Sequence, residues 1–113
     1  MRKLTLRNLN GKDYILRMDR ETIKWLELRG FSLEEFGIKP LTFFDLLWTS
    51  LFLANHKEVN SNLALKLMDE YKASGKNPSK VVNFAIEEYT AFLNALTDIS
   101  STETSEELEI AEI

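Results

Sequence analysis

Residues 43–55 read as a helix with apolar side chains on almost every side, and that helix dictates what the rest of the chain must do. Phe43, Phe44, Leu46, Leu47, Trp48, Leu51, Phe52, Leu53 and Ala54 leave only a narrow polar stripe, Asp45 and Thr49, with His56 beyond. A helix that is apolar nearly all round is buried on most sides. The chain has 113 residues, one domain's worth, so burying this helix requires nearly everything else to wrap it. Residues 42–45 resemble a helix start, with Leu41 and Leu46 at staple spacing. The surrounding apolar run, 41–54, is interrupted by Asp45, Thr49 and Ser50 and falls short of the roughly 20 residues that span a bilayer.

Residues 2–18 read differently. Leu4, Leu6, Tyr14, Leu16 and Met18 alternate with polar residues, the period of a half-buried strand pair, and Asn10-Gly11 marks the turn between them. A two-residue loop at Asn10-Gly11 sets Leu6 opposite Ile15 and mixes the faces. A three-residue loop, Leu9-Asn10-Gly11 with Gly11 left-handed, pairs Leu6 with Tyr14 and Leu4 with Leu16. The second register is expected, because a one-residue slip turns the apolar set towards water. The other face, Lys3, Thr5, Arg7, Ile15 and Arg17, is mostly cationic.

The remaining segments carry helical punctuation. Asp19 caps a helix running to about Arg29, and Gly30 supplies a left-handed stop. Ser32 and Glu35 form a capping box over one turn, with Phe31 and Phe36 as its staple. Residues 61–73 place Ala64, Leu67, Met68 and Tyr71 on one face and end at Gly75. Asn77-Pro78 opens the last helix, whose stripe is Val82, Ala85, Ile86, Tyr89, Phe92, Leu93 and Leu96. The expected fold is α+β but mainly α, an N-terminal β-hairpin packed on a four-segment helical body. Its core is expected to hold Leu4, Leu6, Leu16, Leu26, Leu47, Leu51, Leu67, Ile86, Tyr89 and Leu93.

Residues 1–97 form that single domain, and 98–113 are expected to be a flexible, disordered acidic tail. The formal net charge of −4 conceals this division. The tail holds six acids, Asp98, Glu103, Glu106, Glu107, Glu109 and Glu112, and no Lys or Arg, leaving 14 cations against 12 carboxylates in the domain. There is no cysteine, so disulfides and thiolate metal sites are excluded, and the start of the chain has no apolar run long enough for a signal peptide.

Candidate chemistry is sparse. His56, the only histidine, sits at an expected helix end, where an imidazole favours the dipole; without cysteine it builds no common zinc or nucleophile–base site. Glu34-Glu35, Asp69-Glu70 and Glu87-Glu88 are neighbours on helices, diverge, and read as solvated faces. No glycine-rich phosphate loop is present. The expectation is a protein that is not an enzyme and has no cofactor or metal. The last two helices mimic a helix-turn-helix, but Glu87 and Glu88 accompany Lys80 and Asn83 on the second, so nucleic acid is disfavoured as a partner. The candidate partner-binding residues are Phe43, Phe44, Trp48 and Phe52, an aromatic cluster read either as core or as a surface for an apolar partner. A weak homo-oligomer through this helix or the hairpin edge is expected as well.

The run Leu9-Asn-Gly-Lys-Asp-Tyr-Ile-Leu-Arg-Met-Asp19 leads into Trp25-Leu26-Glu27, Gly30, the Ser32-Leu-Glu-Glu-Phe36 turn and an aromatic helix ending Leu-Phe-Leu-Ala-Asn-His56. This succession, over about residues 4–97, resembles the tail assembly chaperones of long-tailed bacteriophages and prophages of Gram-positive bacteria. The resemblance implies a non-enzymatic protein of the bacterial host's cytoplasm, absent from the mature virion. Its implied partners are the tape measure protein and the tail tube protein, with no membrane. A small phage-encoded nucleic-acid-binding regulator is the alternative.

Overall fold

A computed structural model describes residues 2–97. Two antiparallel strands, β1 (Leu4–Leu9) and β2 (Lys12–Leu16), precede four helices: α1 (Arg20–Leu28), α2 (Pro40–Ser50), α3 (Ser61–Ala73) and α4 (Pro78–Thr97). A single 3-10 turn, Leu33–Glu35, lies between α1 and α2. The hairpin-plus-helices architecture is the one the sequence implies. The expected acidic tail lies outside the described residues.

The hairpin pairs Leu4 with Leu16 and Leu6 with Tyr14, as the alternation demands, but the turn achieves it differently. Leu9 pairs with Lys12 across a two-residue turn in which Asn10 (φ 55°) and Gly11 (φ 76°) are both left-handed. That is the primed turn that Asn-Gly favours. The extra residue sits inside β1 instead. Arg7 and Asn8 together face Asp13, and Asn8 adopts φ 54°, a bulge made by one of the few side chains that tolerate it. The Asn8 N–H, turned out of the ladder, donates to Asp13 Oδ1 at 2.8 Å. Turn and bulge together keep the apolar face in register.

Helix α1 starts where its cap predicts. Asp19 Oδ1 accepts from the Thr22 N–H at 2.9 Å, and Gly30 (φ 82°) follows the last turn. The capping box at Ser32 does not form, since its side chain caps nothing. Phe31 and Phe36 meet through a third ring: both pack on Phe43, with centroids 5.1 and 6.4 Å away.

Helix α2 is the axle, contacting α1, α3 and α4. It begins at Pro40, two residues before the expected start, because proline lacks an N–H and is preset for the first helical position. It ends at Ser50, five residues before the expected end. There the backbone tightens: Leu51 N–H donates to Trp48 O, and Phe52 N–H to Thr49 O. The Leu51 carbonyl then accepts the Arg17 N–H at 3.2 Å, tying this segment to the end of the hairpin. Leu47, Trp48, Leu51 and Phe52 are fully buried, and Thr49 of the supposed polar stripe is buried too. The Trp48 Nε1–H donates to Ala64 O at 2.8 Å, fixing α2 against α3.

On α4 the buried face is rotated from the expected one. Val81, Phe84 and Glu88 join Val82, Ala85 and Tyr89 inside, whereas Ile86 and Leu93 are only half-buried and Leu96 is exposed. The start of the chain causes part of this. Arg2 lies on α4, its guanidinium 5.2 Å from the Phe84 ring centre. The far end of α4 runs past its cover, and Phe92, Leu93 and Leu96 line an open groove against α1.

Candidate partner-binding surface

The aromatic cluster proves to be mostly interior. Phe43, Trp48 and Phe52 are buried and offer no surface to a partner in this structure; Phe44 is half-buried. The reason is the wrapping demanded by helix α2, which the domain supplies in full. Self-association through this helix therefore has no free face to use.

The apolar surface lies beside it. Leu28 at the end of α1, Ile38 before α2 and Leu41 in its first turn are 81, 75 and 72% exposed. All three flank the α1–α2 connection. They share no helical period, so sequence pattern alone could not group them, and Leu41 read as half of a staple. Single exposed leucines are ordinary on a protein surface. Three large ones around one connection, beside the partly covered Phe36 and Phe44, give a partner an apolar foothold.

The two polar sites have structural work. Glu87 and Glu88, expected to diverge into solvent, converge on Arg2. Arg2 Nε donates to Glu88 Oε2 at 2.6 Å, Nη2 to Glu87 Oε1 at 2.8 Å, and the Arg2 backbone N–H to Glu88 Oε1 at 3.3 Å. The forked guanidinium spans the angle between adjacent carboxylates, and their hydrogen bonds raise its pKa further. Glu88 is thus a nearly buried charge with a partner, not part of a solvated face.

His56 does not serve as a helix-end cation. Its Nε2 accepts the Ile15 N–H at 2.9 Å, and its ring stands edge-on to Tyr14 at 4.9 Å. The neighbouring Asn55 Nδ2 donates to the Ile15 carbonyl at 3.2 Å. Together they satisfy the outward edge of β2, as a third strand would. Burial holds the His56 pKa below its ordinary value, with Glu58, 3.7 Å from Nδ1, opposing that shift. The neutral ring is the form that can accept from Ile15.

The opposite edge of the hairpin is uncovered. Because Ile15 turns its N–H and C=O away from β1, its cross-strand partner Thr5 turns both groups outward as well. They find no partner among the described residues. A cleft runs along this edge, bounded by β1 on one side and by Tyr71, Lys76, Lys80 and Val81 on the other. Among the described residues no cluster of His, Cys, Asp or Glu is placed to hold a metal, and no helix is long and apolar enough to cross a membrane.

A helical domain with a small hairpin, an apolar foothold and one open strand edge has the makings of a binding module. The chain belongs to the family described as Domain of unknown function (DUF5055), which it matches over residues 1–111. No curated protein and no solved structure matches it.

Proposed function

We propose that this protein is a non-enzymatic tail assembly chaperone of a long-tailed phage or prophage. It binds the tape measure protein and helps recruit tail tube subunits. It works in the cytoplasm of the bacterial host and is absent from the mature virion. The succession of hairpin, turn and aromatic-helix motifs supports the family assignment. The observation that carries the reading is the exposed apolar trio Leu28, Ile38 and Leu41 on an otherwise well-covered core. A long amphipathic client helix exposes an apolar stripe, and covering it with such side chains keeps it from aggregating. Burying each Leu or Ile contributes about 1.5–3 kcal/mol before the costs of association. The trio thus provides a reversible grip, which suits a protein that must give way to tube subunits.

Co-expression with the tape measure protein of the same genome tests this. The wild-type chain is expected to keep the client soluble in a stoichiometric complex. The double variant Ile38→Asp/Leu41→Asp, both at exposed positions, should stay folded by circular dichroism and lose that rescue. Undiminished rescue by a folded double variant would overturn the assignment of this surface. A steeply salt-dependent shift of duplex DNA, without rescue, would favour the nucleic-acid regulator instead.

A further inference from the structure

We propose that the open edge of β1 is an intramolecular docking site for the acidic segment 106–113 of the same chain, which adds to the hairpin as a third strand. This does not depend on the chaperone reading.

Three observations meet here. The first is the edge itself. Thr5 presents an unpaired N–H and C=O along a cleft of about 250 Å³, whereas the equivalent groups of Ile15 on the other edge are both occupied. An exposed strand edge is a template for an extended segment, and main-chain bonds supply the affinity.

The second is charge. Lys76 and Lys80 line the cleft, Arg7 lies on its strand side, and Lys3 stands on the same outer face of β1. Arg7 faces Asp13 at a loose 3.6 Å, Lys76 lies 5.9 Å from the Tyr71 ring centre, and Glu70 is the one acid lining the adjoining part of the cleft. Lys3 and Lys80 have no ion-pair partner among the described residues. The site is net cationic, and segment 98–113 is all acid.

The third is pattern and reach. Glu107-Leu108-Glu109-Ile110 alternates with the period of a strand. Laid along β1, Leu108 and Ile110 fall on the side of Leu4 and Leu6, over Tyr71 and Val81. Glu107 and Glu109 then fall on the side of Lys3 and Arg7, giving opposite-charge cross-strand pairs. From Val81, at the cleft, to Thr97 helix α4 advances about 24 Å. The residues from 98 to 106, extended at about 3.3 Å each, span that return. The family match also runs to residue 111, so this segment lies within the family's pattern.

Amide exchange of Thr5, read by NMR on the full chain, is the test. In the wild type the Thr5 N–H is expected to exchange at least about tenfold more slowly than in a Leu108→Pro/Ile110→Pro chain, in which the added strand is barred. The protection should be independent of protein concentration and should weaken in high salt. A Glu107→Lys/Glu109→Lys chain should lose it without losing the fold, reported by unchanged exchange at Ile15. Three results would overturn the proposal: a Thr5 amide unprotected in the wild type, protection unchanged by the proline pair, or protection that rises with concentration, which would assign the edge to a second copy.

Discussion

At the scale of single residues, His56 shows how a histidine can be structural by staying neutral. Its ring faces Tyr14, Glu58 and, across Glu58, Lys12, whose Nζ sits 3.0 Å from the same carboxylate. The folded state lowers its pKa from the ordinary 6.5, so below that pH the unfolded chain binds the proton more readily. The contribution of His56 to stability is therefore complete above pH 6.5 and is lost as pH falls through the folded-state value. Other carboxylates titrate lower, so the comparison must be made against a variant. Denaturant unfolding of His56→Gln, whose amide oxygen can still accept from Ile15, should show a shallower loss of stability between pH 6.5 and 5 than the wild type. Parallel slopes would mean that His56 does not carry this dependence.

At the scale of elements, the division between legible and illegible follows physical cause. Strand register was readable, because a slip by one residue exposes Leu4, Leu6 and Leu16 together. The device that sets it was not, since an extra residue in the loop and an extra residue at Asn8 give the same pairing of these three. The caps at Asp19 and at Asn77-Pro78 are local chemistry and fell where the sequence put them. The end of α2 is not local: it is fixed by the Leu51 carbonyl, which turns to meet Arg17 34 positions earlier in the chain. The face of α4 was misjudged for the same reason, as Arg2 covers one side of it. The apolar foothold escaped the sequence because the exposure of Leu28, Ile38 and Leu41 depends on what fails to cover them. Packing makes these differences measurable. Leu47→Ala, in the fully buried axle, should cost about 2–5 kcal/mol in urea unfolding. Leu93→Ala, on the half-open end of α4, should cost about 1–2 kcal/mol. Equal costs would contradict the burial described for the two.

At the scale of the whole molecule, two long-range ties hold the hairpin to the helices. One runs from β2 to residues 51–56, the other from Arg2 to α4. The second is the more exposed to test. Removing Arg2 leaves Glu88, nearly buried, without its cation, at a cost of about 1–2 kcal/mol given that the arginine itself is partly solvated. A double-mutant cycle of Arg2→Ala and Glu88→Ala should show a clear favourable coupling in urea unfolding. Additive effects would reduce the pair to a coincidence of geometry.

That tie joins positions 86 apart in the chain. During synthesis the first residues leave the ribosome long before their anchor exists. Until Glu88 has emerged, a nascent hairpin has no α4 to lie against, and its open edge and apolar face are both presented to the cell. Folding of this domain is therefore completed late in translation, from its last helix back to its first residues. Any extension placed ahead of Arg2 must leave past Glu88, so the beginning of this chain is a poor place to hang a tag.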